Sequence, residues 1–353
     1  MLGRMFKPCN SVRGLGRWKG EWAAVSVVVL ATAAAGGAIL YFDVVAPPAG
    51  SIFSFPSHAL VPAVMYACGH GFRDVADPAS PELDDFLWQR RDSFSAELLP
   101  EDIVLIPANA WSQRHGYLFR LLGLAWRIFG IHWRVYEGLM LLLFCLSSVA
   151  AYAFFRLSVA RVGAVTAACL FATSPGVLAN LPDLRDFSKA PFMLVAIASM
   201  FAMISRPRRF SALVGLSMLA GLSIGLGWGF RNDVAICAPP VLLSVAWCRM
   251  ADTKARWLKR ALLGAVFLTV FLGVSHPIRR LYEDTGNPTD DVMLGLTAPI
   301  RENLGIQPAS FEWLYTKRDD FVLAFKNAYS LYALGDPDPV SYTHLTLPTK
   351  RIV

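Results

Sequence analysis

The sequence predicts an all-α polytopic membrane protein, a class supported by its composition, its apolar stretches and the placement of its cations. Hydrophobic residues make up 55% of the 353 positions and charged residues only 17%, whereas a soluble domain carries about 25% charged residues. The Lys and Arg residues behind the net charge of +7 fall between apolar stretches. Nucleic-acid binding requires them together on one folded surface. We therefore expect membrane lipids as partners and no nucleic acid.

Seven apolar stretches approach the length of a membrane-spanning helix. A hydrocarbon core about 30 Å thick requires roughly 20 apolar residues per helix, because lipid cannot satisfy an exposed backbone. The fourth stretch includes Lys189, and the sixth is short and contains Pro239 and Pro240. The first exceeds the roughly 7 to 15 apolar residues of a signal peptide, which favours an uncleaved anchor. The predicted spans cover approximately 22–42, 138–155, 162–179, 187–205, 210–230, 234–248 and 261–276.

The cations alternate between consecutive loops, and this alternation predicts the orientation of the chain. Short cytoplasmic loops collect Lys and Arg. The short loops predicted outside hold only Arg185, Lys189 and Arg231. The distribution therefore places the N-terminal segment 1–21 in the cytoplasm. The cations of the segments predicted inside are Arg4, Lys7, Arg13, Arg17, Lys19, Arg156, Arg161, Arg206, Arg208, Arg209, Arg249, Lys254, Arg256, Lys259 and Arg260.

Two polar segments on the predicted outer side are too long to be simple connectors. The first, 43–134, is expected to form a small periplasmic unit, and the second covers 277–339. Within the first, the stretch GYLFRLLGLAWRIFG carries Arg120 and Arg127 among leucines and aromatic residues. That pattern is typical of a helix lying in the membrane interface, with a spanning helix whose arginines snorkel as the alternative. Only Cys68 lies in an outer segment, so no disulfide framework is implied.

The last residues resemble a sequence that is not of protein origin. The stretch VSYTHLTLPT, which begins at residue 340, resembles a translated transposase adapter used in preparing sequencing libraries. We therefore leave 340–353 out of the fold prediction. The expectation is that the natural chain was interrupted near Pro339 and that further spans follow it, the alternative being a genuine polar tail.

The outer loop between the third and fourth stretches, LPDLRDFSKAPF, carries a cluster of charges. Arg185 and Lys189 are four residues apart and would share one face of a helical turn, with Asp186 pointing elsewhere. Two cations at the membrane boundary can hold a lipid-linked phosphate, the Arg through its planar guanidinium and the Lys as a point charge. The alternative is that both are interfacial anchors paired with Asp183 and Asp186.

A second outer cluster, FRND, follows the fifth stretch and contains Arg231 and Asp233, which would neutralise each other in the simplest arrangement.

The closely spaced glycines of GLGWGF, at 225–230, lie within a span and not after a strand. They therefore indicate helix packing and not nucleotide binding. The sequence lacks the GxxxxGK[ST], HExxH and CxxC motifs of soluble enzymes.

The order of these features resembles the early part of GT-C-type membrane glycosyltransferases, which include protein O-mannosyltransferases and bacterial enzymes that decorate lipid A. The resemblance rests on LAWRIFG before a span, LFATSPGVLAN after a basic turn, the loop LRDFSKAPF and the later GLGWGFRNDVAICAPP. It covers about 22–277 of the chain, and the order and sidedness of the motifs carry it.

This resemblance implies a glycosyltransferase of the bacterial inner membrane. Its donor would be a sugar on polyprenyl phosphate, approached from the bilayer, and its acceptor would enter from outside. Arg185 and Lys189 would hold the donor phosphate, assisted by Arg231. An acidic residue in the first outer loop would position or deprotonate the acceptor, because a carboxylate stays ionised at neutral pH. A divalent metal ion is a possible cofactor of such an enzyme, and no cofactor is assigned with certainty.

The sequence departs from the family at this acid, since the usual Asp-Glu pair shortly after the first span is absent. The candidates are Asp43, at the end of that span, and the adjacent Asp84 and Asp85, which resemble a metal or sugar site. His115, where the resemblance in the first loop begins, is a further candidate.

Two other functions stay open. A transporter or flippase predicts ionisable residues inside the spans and internal repeats, neither of which the sequence shows. A non-catalytic assembly protein that kept the architecture is supported by the missing acidic pair.

Overall fold

The structure is a computed structural model that describes residues 14–41, 57–76, 80–100, 102–251 and 254–283. The described residues belong almost entirely to one unit that ends at Leu281. Asp43, most of the second outer segment and residues 340–353 lie outside the described residues.

The described part of the chain is mostly α-helical, with thirteen α-helices and four short strands. The helices are α1 (Gly14–Leu40), α2 (Val61–Ala67), α3 (Pro81–Leu87), α4 (Ala110–Arg114), α5 (Gly116–Phe129), α6 (Trp133–Phe155), α7 (Arg161–Ala172), α8 (Pro175–Asn180), α9 (Leu184–Phe187), α10 (Ala190–Ser205), α11 (Phe210–Trp228), α12 (Ala238–Ala246) and α13 (Arg256–Glu283). The strands are β1 (Arg73–Val75), β2 (Ser93–Phe94), β3 (Leu105–Pro107) and β4 (Ile131–His132).

Five helical segments among the described residues are long and apolar enough to cross a membrane, which makes the chain a multi-pass membrane protein. The predicted count of seven is not confirmed. The first and second of the predicted spans begin a few residues earlier than expected, and the fourth includes the short helix α9. The five segments are Gly20–Leu40, Trp133–Phe155, Leu184–Ser205, Phe210–Trp228 and Arg256–Arg280.

The other two predicted spans are interrupted by proline. In the third, α7 ends at Ala172 and a separate helix begins at Pro175, because proline has no N–H and clashes with the preceding turn of a helix. In the sixth, a 3₁₀ turn over Asn232–Cys237 precedes α12, which has Pro239 and Pro240 near its start. The nine residues of α12 extend over about 14 Å, half of the roughly 30 Å core.

Cationic segments meet at one end of the spanning helices. Glu21, near the start of α1, pairs with Arg156 at 2.9 Å and with Arg161 at 3.3 Å. The Arg206 guanidinium donates to the Leu157 carbonyl at 3.3 Å. The backbone of Arg208 forms an isolated bridge with the 249–251 segment. Segments that the charge alternation assigns to one side of the membrane thus contact each other.

The described residues between α1 and α6 pack at the opposite end and are not all helical. β1 pairs antiparallel with β3, and β2 with β4, so this segment contains short strands beside its helices. The strands are only two or three residues long. An aromatic group joins the segment to α6, since Phe86 stacks on Trp133 at 5.2 Å and the Trp133 indole donates to the Phe86 carbonyl.

The helix α5 covers the stretch predicted to lie in the membrane interface. Leu118, Leu122 and Trp126 are buried, and Gly123 packs so closely on α2 that a Cβ there would lie 2.6 Å from the Ala63 carbonyl oxygen. The helix ends at Gly130, whose φ of +93° suits glycine.

The opposite side of α5 exposes further large apolar residues, Leu124, Ile128 and Phe129. Such a surface suits the headgroup region of a bilayer. The interfacial position of α5 stays a prediction.

The glycines of GLGWGF serve helix packing, as predicted. A Cβ at Gly225 would lie 2.9 Å from the Val274 Cβ and 3.1 Å from the Phe271 carbonyl oxygen, both on α13. A Cβ at Gly229 would collide with the ring of Tyr117. Small residues therefore let the α11 and α13 backbones approach each other.

Candidate functional site

Two loops meet at the end of the bundle opposite Glu21 and bring six charged side chains together. The first loop precedes α10, and the second follows α11. We call this group the charged cluster, and its members are Asp183, Arg185, Asp186, Lys189, Arg231 and Asp233.

The first loop is fixed by a helix cap and by packing on α6. The Asp183 carboxylate accepts the backbone N–H of Asp186 at 3.1 Å and so caps the single turn of α9. Leu184 and Phe187 of that turn are buried. The Tyr136 hydroxyl of α6 donates to the Pro182 carbonyl at 3.0 Å. The charged side chains of this loop therefore project from an anchored backbone.

The second loop is fixed by contacts between α10 and the end of α11. The rings of Phe192 and Phe230 lie 4.5 Å apart. The Ser223 hydroxyl donates to the Phe192 carbonyl at 2.8 Å, and the Arg231 N–H donates to the Gly227 carbonyl at 2.8 Å. Arg231 is thereby held beside the start of α10.

Three cations of the charged cluster share two carboxylates. The Lys189 Nζ lies 2.6 Å from the Asp233 Oδ2, and the Arg231 Nε lies 3.0 Å from the same oxygen. Asp186 pairs with Arg231 through Oδ1 and Nη1 and also with the Arg185 Nε, at 3.5 Å. With Asp183 as a third carboxylate, the formal charges of three cations and three anions sum to zero.

This geometry corrects one expectation about the first loop. Asp186 does not point away from Arg185 but pairs with it. Lys189 follows the single turn of α9 as the N-cap of α10, and the helical face that it was predicted to share with Arg185 stays a prediction. Pro191, in the first turn of α10, favours a new helix start at this point. The simpler alternatives describe part of the pairing, since Arg185 pairs with Asp186 and Arg231 with Asp233. Lys189 was expected to pair within its own loop in that alternative, but it pairs with Asp233 of the second loop.

Arg185 differs from the other two cations in the strength of its pairing and in its accessibility. Its ion pair is the longest that the structure gives for a cation of the charged cluster. Its side chain is 38% exposed, against 24% for Lys189 and 23% for Arg231. An incoming anion can therefore reach Arg185 with the least disruption of existing pairs.

Burial and neighbouring charge act against each other at Arg231. Burial lowers the pKa of its guanidinium, and the nearby Arg185 adds to that effect, while Asp233 and Asp183 oppose it. The guanidinium stays protonated in any solvent that keeps the protein folded. Its positive charge would therefore attract an anionic ligand, as it now attracts the carboxylates of Asp186 and Asp233.

The candidate acids Asp84 and Asp85 lie on α3. Asp85 forms an exposed ion pair with Arg90 at 3.4 Å, and the Oδ1 of Asp84 is buried without a hydrogen bond. No hydrogen bond or ion pair within the described residues joins either acid to the charged cluster. The connection is indirect, from Phe86 of α3 to Trp133 and then to Tyr136 of α6.

His115 is buried at the junction of α4 and α5. Its side chain lies near Phe119, with ring centroids 6.0 Å apart, and the residue is 8% exposed. The structure therefore places it in a packed junction, and its role as a site residue stays a prediction.

No group of three or more His, Cys, Asp and Glu side chains among the described residues is arranged to hold a metal ion. The described cysteines, from Cys68 to Cys248, are free.

Comparison of the chain with protein-family models, with curated proteins and with solved structures found no match. The geometry of the charged cluster is therefore the basis for a functional proposal.

Sequence reasoning missed two pairings. The contact of Lys189 with Asp233 joins residues 44 positions apart, and only the packing of α10 on α11 brings them together. The second is Glu21, which receives hydrogen bonds from Tyr152 and Arg156. A signal for it was present, because a single carboxylate at the edge of an apolar stretch requires a cationic partner.

Proposed function

We propose that the protein is an integral membrane glycosyltransferase that moves a sugar from a polyprenyl-phosphate donor to an acceptor on the extracytoplasmic face. One observation carries the proposal. Cations of the charged cluster lie where helices α10 and α11 meet, at the end of the bundle away from Arg156 and Arg161, and Arg185 is only weakly paired. The resemblance to GT-C enzymes adds the identity of the donor.

In the proposed reaction, an acceptor hydroxyl oxygen forms a bond to the anomeric carbon of the sugar. The bond from that carbon to the polyprenyl-phosphate oxygen breaks, and the hydroxyl proton passes to a carboxylate. Arg185 would bind the leaving phosphate directly, with Lys189 and Arg231 adding positive charge around it. Asp43, Asp84 and Asp85 are the candidates for the carboxylate.

The test is transfer of a labelled sugar from polyprenyl phosphate by the protein in vesicles. Arg185→Ala is expected to lower the rate by about 10- to 100-fold, because a hydrogen bond to a charged group contributes about 1.5–3 kcal/mol. The matched control is Arg127→Ala, since Arg127 is exposed on α5 and makes no ion pair within the described residues. Equal membrane insertion of both variants excludes a folding effect.

Unchanged transfer by Arg185→Ala would remove this residue from the site. Absence of transfer by the wild-type protein, with donors of several sugars, would contradict the proposed reaction class.

A non-catalytic membrane assembly protein is the second candidate, and the pairing within the charged cluster favours it. Lys189 and Arg231 already have the carboxylate of Asp233 within 3.0 Å. Holding the two loops together is therefore a sufficient role for the charged cluster. This function predicts that Lys189→Ala lowers the unfolding temperature without affecting any transfer reaction. Under the glycosyltransferase proposal, the same substitution reduces the transfer rate of the folded protein.

A further inference from the structure

A cleft lies between the β1–β3 pair and α5, outside the charged cluster. Its volume is about 410 Å³, within the range of about 300–1,000 Å³ found for small-molecule sites. Phe72, Leu105 and Ile106 supply its apolar surface. Arg73 and Arg120 supply two guanidinium groups.

Arg120 is half-buried in this cleft without a carboxylate partner among the described residues. Its Cζ lies 4.4 Å from the centroid of the Phe72 ring, in a cation–π contact. Its guanidinium donates a hydrogen bond to the Gly116 carbonyl at 3.5 Å. Burial lowers the pKa of its guanidinium. A guanidinium has five N–H donors, and within the described part of the chain the structure gives a partner for one of them.

Arg73 adds a second positive charge at the edge of the cleft. It is exposed on β1 and forms no ion pair within the described residues. The neighbouring Asp74 does not line the cleft. Its carboxylate accepts the Val75 N–H at 3.0 Å and the Asn109 side-chain amide at 3.2 Å. Alternation along the strand points Arg73 and Asp74 to opposite faces.

The contrast with the charged cluster indicates what the cleft binds. The cations of that cluster already have carboxylates, whereas Arg73 and Arg120 have none within the described residues. The two guanidinium groups match the charge of a phosphate monoester, which is about −1.5 to −2 at neutral pH. Their planar N–H groups match the geometry of phosphate oxygens. Phe72 and Ile106 can pack on an apolar group attached to the phosphate.

We infer that this cleft is a binding site for an organic phosphate whose phosphate group contacts Arg120 and Arg73 and whose apolar part packs on Phe72. The site does not depend on the proposed transferase reaction. The phosphate can belong to a soluble molecule or to a lipid headgroup, since both present the same oxygens.

The test uses phenyl phosphate as the probe, titrated into the detergent-solubilised full chain by calorimetry. The wild-type protein is expected to bind it at least about tenfold more tightly than Arg120→Gln does, because that substitution removes a charge-assisted contact. The matched control is Arg127→Gln, an exposed arginine on the same helix, which is expected to bind like the wild type. Arg73 lies on the surface, so Arg73→Gln is expected to weaken binding several-fold without affecting the fold.

Equal affinity of the wild type, Arg120→Gln and Arg73→Gln for phenyl phosphate would overturn the inference. So would equal affinity for phenol, which lacks the phosphate. A second arm repeats the titration in nanodiscs of phosphatidylcholine with or without phosphatidic acid. Competition by phosphatidic acid supports the site with a lipid as its ligand, and absence of competition supports it with a soluble ligand.

Discussion

At the residue scale, the main feature of the charged cluster is that two carboxylates form the ion pairs of three cations. Asp233 serves Lys189 and Arg231 together, and Asp186 serves Arg231 and Arg185. The most exposed cation, Arg185, has the longest ion pair. Its replacement is therefore expected to affect ligand binding more than stability, because exposed ion pairs contribute only about 0–1 kcal/mol.

A residue-scale prediction concerns Cys68, at the end of α2. Burial raises the pKa of its thiol from 9.0 to about 11, and only the thiolate reacts with alkylating agents. At about pH 8 its thiolate fraction is expected to be about 100-fold lower than that of an ordinary cysteine. Iodoacetamide labelling of a variant that retains Cys68 as its one cysteine measures this.

The pH profile separates a raised pKa from poor access to Cys68. The alkylation rate of the native protein should still increase about tenfold per pH unit between about pH 9 and pH 10. A rate that levels off near pH 9, as for the denatured chain, would contradict the raised pKa.

The types of the cluster residues could be predicted from the sequence, but their pairing could not. LRDFSKAPF and FRND identify Arg185, Lys189 and Arg231 as charges at the ends of apolar stretches. Helical spacing alone then misplaced Asp186, which pairs with Arg185 and Arg231. Pairing across the two loops depends on the packing of α10 on α11, and local spacing carries no information about that packing.

At the element scale, close approach of helices explains where glycine is required. A Cβ at Gly221 would lie 2.7 Å from the Phe267 carbonyl oxygen and 3.2 Å from the Phe271 backbone nitrogen. Both atoms belong to the backbone of α13, so neither can move without displacing the helix.

We therefore expect Gly221→Ala to destabilise the protein by about 1–3 kcal/mol, the usual cost of overpacking. The matched control is Gly215→Ala on the same helix α11, because a Cβ there meets nothing within 4 Å. That control is expected to be neutral or slightly stabilising, since alanine favours helix over glycine.

Thermal unfolding in detergent measures both variants. Equal unfolding temperatures for Gly221→Ala and Gly215→Ala would contradict the close packing of α11 on α13.

The apolar stretches of the sequence predict the long helices well and the interrupted ones poorly. α6 and α11 lie within two residues of their predicted positions at one end or both, and α13 extends beyond its predicted span at both ends. The third and sixth stretches have enough apolar residues for a span, but Pro175 and the Pro239–Pro240 pair restart the helix within them. Hydropathy depends on the number of apolar residues in a stretch and carries no information about where proline interrupts the hydrogen bonding of a helix backbone.

At the scale of the whole molecule, charged groups gather at two opposite ends of the helices. Glu21 joins α1 to Arg156 and Arg161 at one end, and the charged cluster joins the loops at the other. The 19 residues of α11 extend over about 28 Å, close to the roughly 30 Å of a hydrocarbon core. Loops that the cation alternation assigns to one side also contact each other in the structure.

The central claim is that the charged cluster lies on the opposite side of the membrane from the cationic segments. Single cysteines at Asn232 and Arg209, the exposed residues that flank α11, test this claim in a background without native cysteines. With a membrane-impermeant maleimide applied to the extracytoplasmic side of sealed vesicles, Asn232→Cys should be labelled directly. Arg209→Cys should be labelled only after permeabilisation. Labelling of both positions from the same side, or of Arg209→Cys alone from outside, would contradict the account.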